Sequence, residues 1–369
     1  MLGMVGPRPL AALALTLWAC AAPALAQDPG PGQAQARDQG LPDVGAGLRW
    51  LAGQQAIDGS FGKHNKLALT GMCGLALLAS GSTPRRGPYA PAISRALEFV
   101  LSCQRGGAFV HPSSGYSAIH NHGYALLFAT QCYGEAGPLD ARVGAAIRRG
   151  VQATVKSQFP NGGFGYFLDR VVPPEHRDMW RDDEASTTIS QIQALRGAHN
   201  AGFFVQFGAL ERAGRYIAQS QHQPTGGFVY SIGSKPPRIS FEEGSDVPTF
   251  AITAAASAVL HALGSYEGPV VERGIQYMEG FLPPTRQRVP FFFYGHYYAA
   301  QVMHMLAGPR GERWMRAIRR ELAARQHRDG YWPTDPQDSL DASDSRILNT
   351  AWALQVAQID GSMLPIHER

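Results

Sequence analysis

Acids and one histidine are the groups in this chain best suited to proton chemistry. Asp182-Asp183-Glu184 and Asp246 each precede a stretch that reads as an apolar helix, and His296 lies between Tyr294 and Tyr297 in an otherwise aromatic segment. A carboxylic acid kept protonated by apolar surroundings can protonate an alkene, and a pair of carboxylates flanking one bond can cleave a sugar chain. Acids before helices also have a plainer role, because they cap free amides and suit the positive helix end. Asp183, Asp246 and His296 are the candidate catalytic residues. No metal site and no cofactor are indicated. Cys73, Cys103 and Cys132 have no CxxC spacing and read as buried small hydrophobes, and His120 and His122 project from different faces of one helix.

These groups are carried by a repeat. Gln55, Gln104, Gln158, Gln221 and Gln326 each follow an amphipathic helical pattern, and each is followed by a glycine, an aromatic and a second, more apolar helix. Successive glutamines are 49, 54, 63 and 105 residues apart, so the last gap holds one more copy, with Val271–Phe281 and Phe291–Leu306 as its helices and Leu282-Pro283-Pro284 between them. A period near 50 residues means one helical hairpin copied around an axis. Six copies suit a closed ring. The glycine lets the first helix end in a left-handed turn, and the aromatic packs back on its last turn. Stretches such as Leu67–Leu78 and Phe250–Leu260 are apolar on most faces and belong to an inner layer; Glu312–Leu322 is amphipathic and belongs outside.

The chain is 44% hydrophobic and 17% charged, enough to bury a large core. Its 33 Lys and Arg against 29 Asp and Glu are scattered, which argues against a nucleic-acid groove. Arg8, the apolar run Leu10–Ala22 and Ala24-Leu25-Ala26 have the form of a signal peptide over residues 1–26, followed by a flexible Pro/Gly/Gln/Ala leader over 27–44 and the helical domain over 45–369. Export to the periplasm or beyond is expected. Lipoprotein anchoring at Cys20 ranks second, because Trp18 stands where a small residue is usual. No later run is long and clean enough to span a bilayer.

Gln followed by Gly-x-aromatic after a helix resembles the repeat of squalene and oxidosqualene cyclases and of protein prenyltransferase beta subunits, over roughly residues 45–360. Phe293–Gln301, Ala194–Gly202 and Leu364-Pro365-Ile366 are similar to segments of secreted bacterial prenyltransferase/squalene-oxidase repeat proteins. The resemblance implies an all-α (α/α)6 toroid of six helical hairpins, and in such a ring the starts of all inner helices meet at one rim. His64, Asn65, His120, Asn121, His122, Asp183, Glu184, Thr187, Thr249, Asp344 and Asn349 would lie there. The cyclase Asp-x-Asp-Asp motif would fall on Asp246, but Pro248 and Thr249 replace its later acids. The prenyltransferase zinc ligands would fall on Asp246, Pro248 and Asn349, so two of three are absent. Met72-Cys73-Gly74-Leu75 is not the thioester segment of macroglobulins, which share the toroid.

The expected function is binding of a terpenoid or other apolar lipid in a central cavity lined by Tyr294, Tyr297, Tyr298, Phe250, Phe291, Phe292, His120 and Trp352, with turnover left open. If the protein is an enzyme, the reading is a cyclase or isomerase whose tyrosines stabilise cations. The alternatives are a non-catalytic interaction scaffold, with a throat plugged by side chains, and an acidic-polysaccharide lyase or glycosidase.

Overall fold

The computed structural model describes residues 40–115, 117–168, 183–232, 247–284, 289–306, 308–336, 338 and 340–361. Among them are six helical hairpins: α1 Val44–Gly53 with α2 Lys66–Leu78, α3 Ala90–Ser102 with α4 Ala118–Cys132, α5 Asp140–Ser157 with α6 Ala185–Asn200, α7 Phe207–Gln219 with α8 Phe250–Ala262, α9 Pro269–Glu279 with α10 Phe292–Leu306, and α11 Gly308–Arg325 with α12 Ala342–Gln358. Each even-numbered helix packs on the next, and α12 returns to α2, so these six form a closed inner ring with the odd-numbered helices outside. The protein is an all-α (α/α)6 toroid. The layers follow from sequence: every residue of α2 after Lys66 is buried, whereas α7 buries only Ala209, Ala213, Tyr216 and Ile217 along one stripe. Glycine allows close approach inside the ring, since a Cβ on Gly71 would lie 2.5 Å from the Tyr124 carbonyl oxygen.

The repeated glutamine is a stitch between hairpins. Gln55 Nε2 donates to Gly59 O and to Ala92 O of the next outer helix, at 3.0 and 2.8 Å. Gln104 binds Gly107 O and Ala146 O, Gln158 binds Gly162 O and Ala209 O, and Gln221 binds Gly226 O and Val270 O in the same way. Gln326 closes the ring: it binds Gly330 O and, 283 residues away, Asp43 O, both at 2.8 Å. The glycine serves the same junction. Gly59, Gly107, Gly162, Gly226 and Gly330 have positive φ, and a Cβ on Gly162 would lie 2.1 Å from the Arg212 carbonyl oxygen of the next outer helix. Its role is thus as much to admit the neighbouring hairpin as to end its own helix.

The aromatic that follows is fixed to its own inner helix. The N–H groups of Phe61, Phe164, Phe228 and Trp332 donate to the hydroxyls of Thr70, Thr188, Thr253 and Thr350 at 2.9 to 3.0 Å. In the second hairpin His122 takes the threonine's place, with its Nδ1 accepting from Phe109 N at 3.0 Å.

Candidate functional site

Local geometry divides the adjacent acids between two faces. Asp183 and Glu184 are both buried, and Glu184 is extended and pairs with Phe164 in an isolated antiparallel bridge, so successive side chains point opposite ways. Asp183 turns toward the outer layer, with Oδ1 3.4 Å from Ser231 Oγ and its carboxylate against the Tyr216 hydroxyl of α7. Glu184 turns toward the inner rim, where it is the N-cap of α6 and accepts from Thr187 N at 2.9 Å.

A hydrogen-bonded chain runs from Glu184 across the rim to α4. Ser186 Oγ is 2.7 and 2.8 Å from the two Glu184 carboxylate oxygens and 2.9 Å from His120 Nε2, and His120 Nδ1 is 3.1 Å from Ser117 Oγ. On the other side the Tyr230 hydroxyl binds Glu184 and lies 2.9 Å from the Tyr166 hydroxyl. Burial pushes the Glu184 carboxyl above its usual range, partly offset by the bonds from Tyr230, Ser186 and Thr187. Burial also lowers His120 to about 4, so its ring is neutral near pH 7. The hydroxyl between a carboxyl and a neutral imidazole can pass a proton in either direction.

Beneath this rim the throat is lined with aromatic side chains. The Tyr124 and Tyr298 hydroxyls are 3.3 Å apart and join α4 to α10, which are opposite each other in the inner ring. Tyr294, one turn nearer the rim, packs edge-on against Tyr298 and Trp352 with ring centroids 4.9 and 5.6 Å apart. Tyr297 packs on Tyr298 at 4.7 Å. Deeper still, Gln193 Nε2 donates to Gln301 Oε1 at 2.9 Å. The tyrosine pair is a floor, and the half-buried Tyr294, His120, Ser186, Tyr166 and Tyr230 on its rim side form the mouth of the ring.

The remaining sequence candidates fall elsewhere. Phe250, Phe292 and His296 pack between the layers: the Phe250 ring lies 4.8 Å from His296, 5.3 Å from Phe281 and 5.8 Å from Trp314 of α11. His296 Nδ1 donates to Phe292 O at 2.8 Å, and burial lowers its pKa to about 3. Phe291, half-buried with φ +53, precedes α10. Asn349 binds Pro333 O and Asp338, away from the mouth. Asn121 binds Ala68 N and Asn65. Asp182, Asp246 and the terminal Leu364-Pro365-Ile366 lie outside the described residues, as do residues 1–39. Among the described residues no helix is long and apolar enough to cross a membrane. Cys73, Cys103 and Cys132 are free and buried.

Tyr166 and Tyr230 were not among the candidates taken from sequence. A signal for them exists, because each stands two residues after its repeat aromatic, Phe164 or Phe228, and so occupies the same place in adjacent hairpins.

No protein-family profile matches the chain, and no curated protein does. Solved structures do. The type II terpene cyclase MstE from Scytonema, in complex with merosterolic acid A, is 14% identical with a TM-score of 0.58, covering 88% of this chain and 97% of that one. The GH76A alpha-1,6-mannanase from Salegentibacter sp. is 12% identical with a TM-score of 0.60, covering 85% and 99%. Cellobiose 2-epimerase from Spirochaeta thermophila is 14% identical, also at 0.60, covering 91% and 99%. At these identities the likeness concerns the fold.

Proposed function

We propose that this protein is an exported toroid that binds a terpenoid or similar apolar molecule at its aromatic mouth, and that Glu184 is the group that exchanges a proton with it. The observation behind this reading is the buried Glu184 carboxyl, set by Ser186 and Tyr230 at the edge of a throat lined by Tyr124, Tyr294, Tyr298 and Trp352. Protonated Glu184 would deliver its proton to an alkene carbon, leaving a cation over tyrosine and tryptophan faces. Loss of a proton from a neighbouring carbon would restore a double bond, with Ser186 and His120 offering the exit. A terpene cyclase among the structural neighbours, seen with both substrate and product, supports the ligand class. Asp246 is the alternative donor taken from sequence; Asp183 is turned toward Tyr216, away from the mouth. Export rests on the N-terminal pattern of residues 1–26.

The glycan reading has the mannanase and the epimerase among the neighbours, and an inactive mannanase variant carries asparagine at two adjacent aspartates. Two-carboxylate cleavage needs both acids to face one bond. Asp183 and Glu184 face opposite ways, which weighs against that chemistry. The scaffold reading is favoured by one observation, the tyrosine floor that crosses the throat.

The test is titration of the chain from Gln27 onward with geranylgeraniol and, separately, with mannotriose, followed by tryptophan fluorescence. Saturable quenching by the isoprenoid, weakened at least tenfold in Tyr294→Ala, is expected. Binding of the sugar alone, or of neither, would refute the apolar-ligand reading.

A further inference from the structure

His64, Asp341 and Asp344 take no part in the mouth described above. They meet where the first and last hairpins close the ring, His64 just before α2 and the two acids at the start of α12. His64 Nδ1 lies 3.0 Å from Asp341 Oδ2 and 3.3 Å from Asp344 Oδ2, and each of the three residues offers a ligand atom within 4.8 Å of the other two. One ring N–H cannot serve two carboxylates equally well, whereas a cation can.

The surroundings hold these atoms in place. Asp341 Oδ1 accepts from Ser343 N and Asp344 N, which leaves Oδ2 turned to His64. Asp344 accepts from Lys63 N and His64 N at 2.9 and 2.8 Å. The Asp344 side chain is 0% exposed and forms no ion pair with a lysine or arginine among the described residues, so apart from those two amides its carboxylate faces the His64 imidazole. Such a charge is costly without a counter-ion. We propose that His64 Nδ1, Asp341 Oδ2 and Asp344 Oδ2 bind one divalent ion of the zinc class, which fastens the first hairpin to the last.

The spacing suits this class. Tetrahedral zinc with bonds of about 2.0–2.1 Å has ligands roughly 3.3 Å apart. His64 and Asp341, with side chains 64% and 39% exposed, leave an entry path and room for water as the fourth ligand. Three donors with one nitrogen fall short of the six to eight oxygens that calcium takes. The ligands are 277 and 280 residues apart in sequence, which is why no metal spacing is visible there.

The experiment is zinc titration of the chelator-treated full chain, with elemental analysis after desalting and thermal melting alongside. One zinc per chain is expected, with a melting midpoint roughly 5 °C higher at a hundredfold excess over Kd. Magnesium and calcium should give no such shift. H64Q and D341N should each lose at least tenfold in zinc affinity at unchanged far-UV ellipticity; D341N keeps the oxygen that caps α12 and so guards against mere unfolding. Absence of stoichiometric zinc in the parent chain, or parent-like binding by both variants, would overturn the site.

Discussion

Replacing Gln326 by leucine should open the ring at its seam. Its Nε2 donates to Gly330 O and Asp43 O at 2.8 Å each, and its Oε1 accepts from Asp43 N at 2.7 Å. Leucine fills similar volume but makes none of these bonds, and it leaves the Asp43 N–H without its partner. At about 0.5–1.5 kcal/mol net for each bond, the loss is about 3 kcal/mol. Two of the bonds span 283 residues, so the damage is to closure rather than to one turn. Asp43 also caps α1 through Ala46 N, so the first helix should loosen with the seam. Gln54→Leu is the control: its side chain makes one exposed bond to Trp50 O, and a change within about 0.5 kcal/mol is expected. Equilibrium urea unfolding followed by far-UV ellipticity measures both, and limited proteolysis near residue 50 reports the local opening. A Gln326→Leu variant no less stable than Gln54→Leu would refute the assignment of the repeated glutamine as the ring's stitch.

Three further outcomes follow from the site and its supports. Glu184→Gln keeps an oxygen for the α6 cap, so it should fold and bind an isoprenoid while losing at least a hundredfold in any turnover; full turnover in a product assay would remove Glu184 as the proton donor. Truncation in Tyr298→Ala should remove the floor, admit longer isoprenoids in the fluorescence titration, and lower stability by about 3–5 kcal/mol, the cost of deleting a buried aromatic ring. His122, fully buried, has its pKa lowered by burial to about 4, so between pH 6.5 and 4 the unfolded chain takes up a proton that the folded one does not. Stability should therefore fall as pH falls through that window, by roughly 3 kcal/mol from this residue, and His122→Thr should flatten the acid limb of a urea-midpoint against pH plot.

The periodicity made the ring legible before any coordinates, because six copies of one hairpin leave a pattern that survives even in the degenerate fifth copy. The starts of the inner helices could be placed at one rim for the same reason. Side-chain direction could not. Asp183 and Glu184 look interchangeable in sequence, and only the extended backbone at the Phe164 bridge sends one outward and the other to the mouth. His296 looked functional because it is polar among aromatics; in three dimensions the backbone carbonyl of Phe292 satisfies its Nδ1, and Phe250, Phe292 and Trp314 surround the ring.

Register within the repeat is the more discriminating guide, since it separates residues that recur for packing from those that depart from the pattern for another reason. His122 occupies the place held by Thr70, Thr188, Thr253 and Thr350 and does the same work, accepting a hydrogen bond from the repeat aromatic. It needs no catalytic role to account for its burial. His120, two residues earlier, has no such duty in the hairpin, and its two ring nitrogens are committed instead to Ser186 and Ser117 at the rim. The same test separates the tyrosines: Tyr166 and Tyr230 hold the position two beyond the aromatic, where other hairpins carry Lys63, His111 and Thr334, so phenol at both sites is particular to the third and fourth hairpins. Those hairpins flank Glu184. The departures from the repeat thus gather around Glu184, a buried carboxyl that faces the mouth, which is the arrangement expected if the ring is a common frame and this sector of it carries the chemistry.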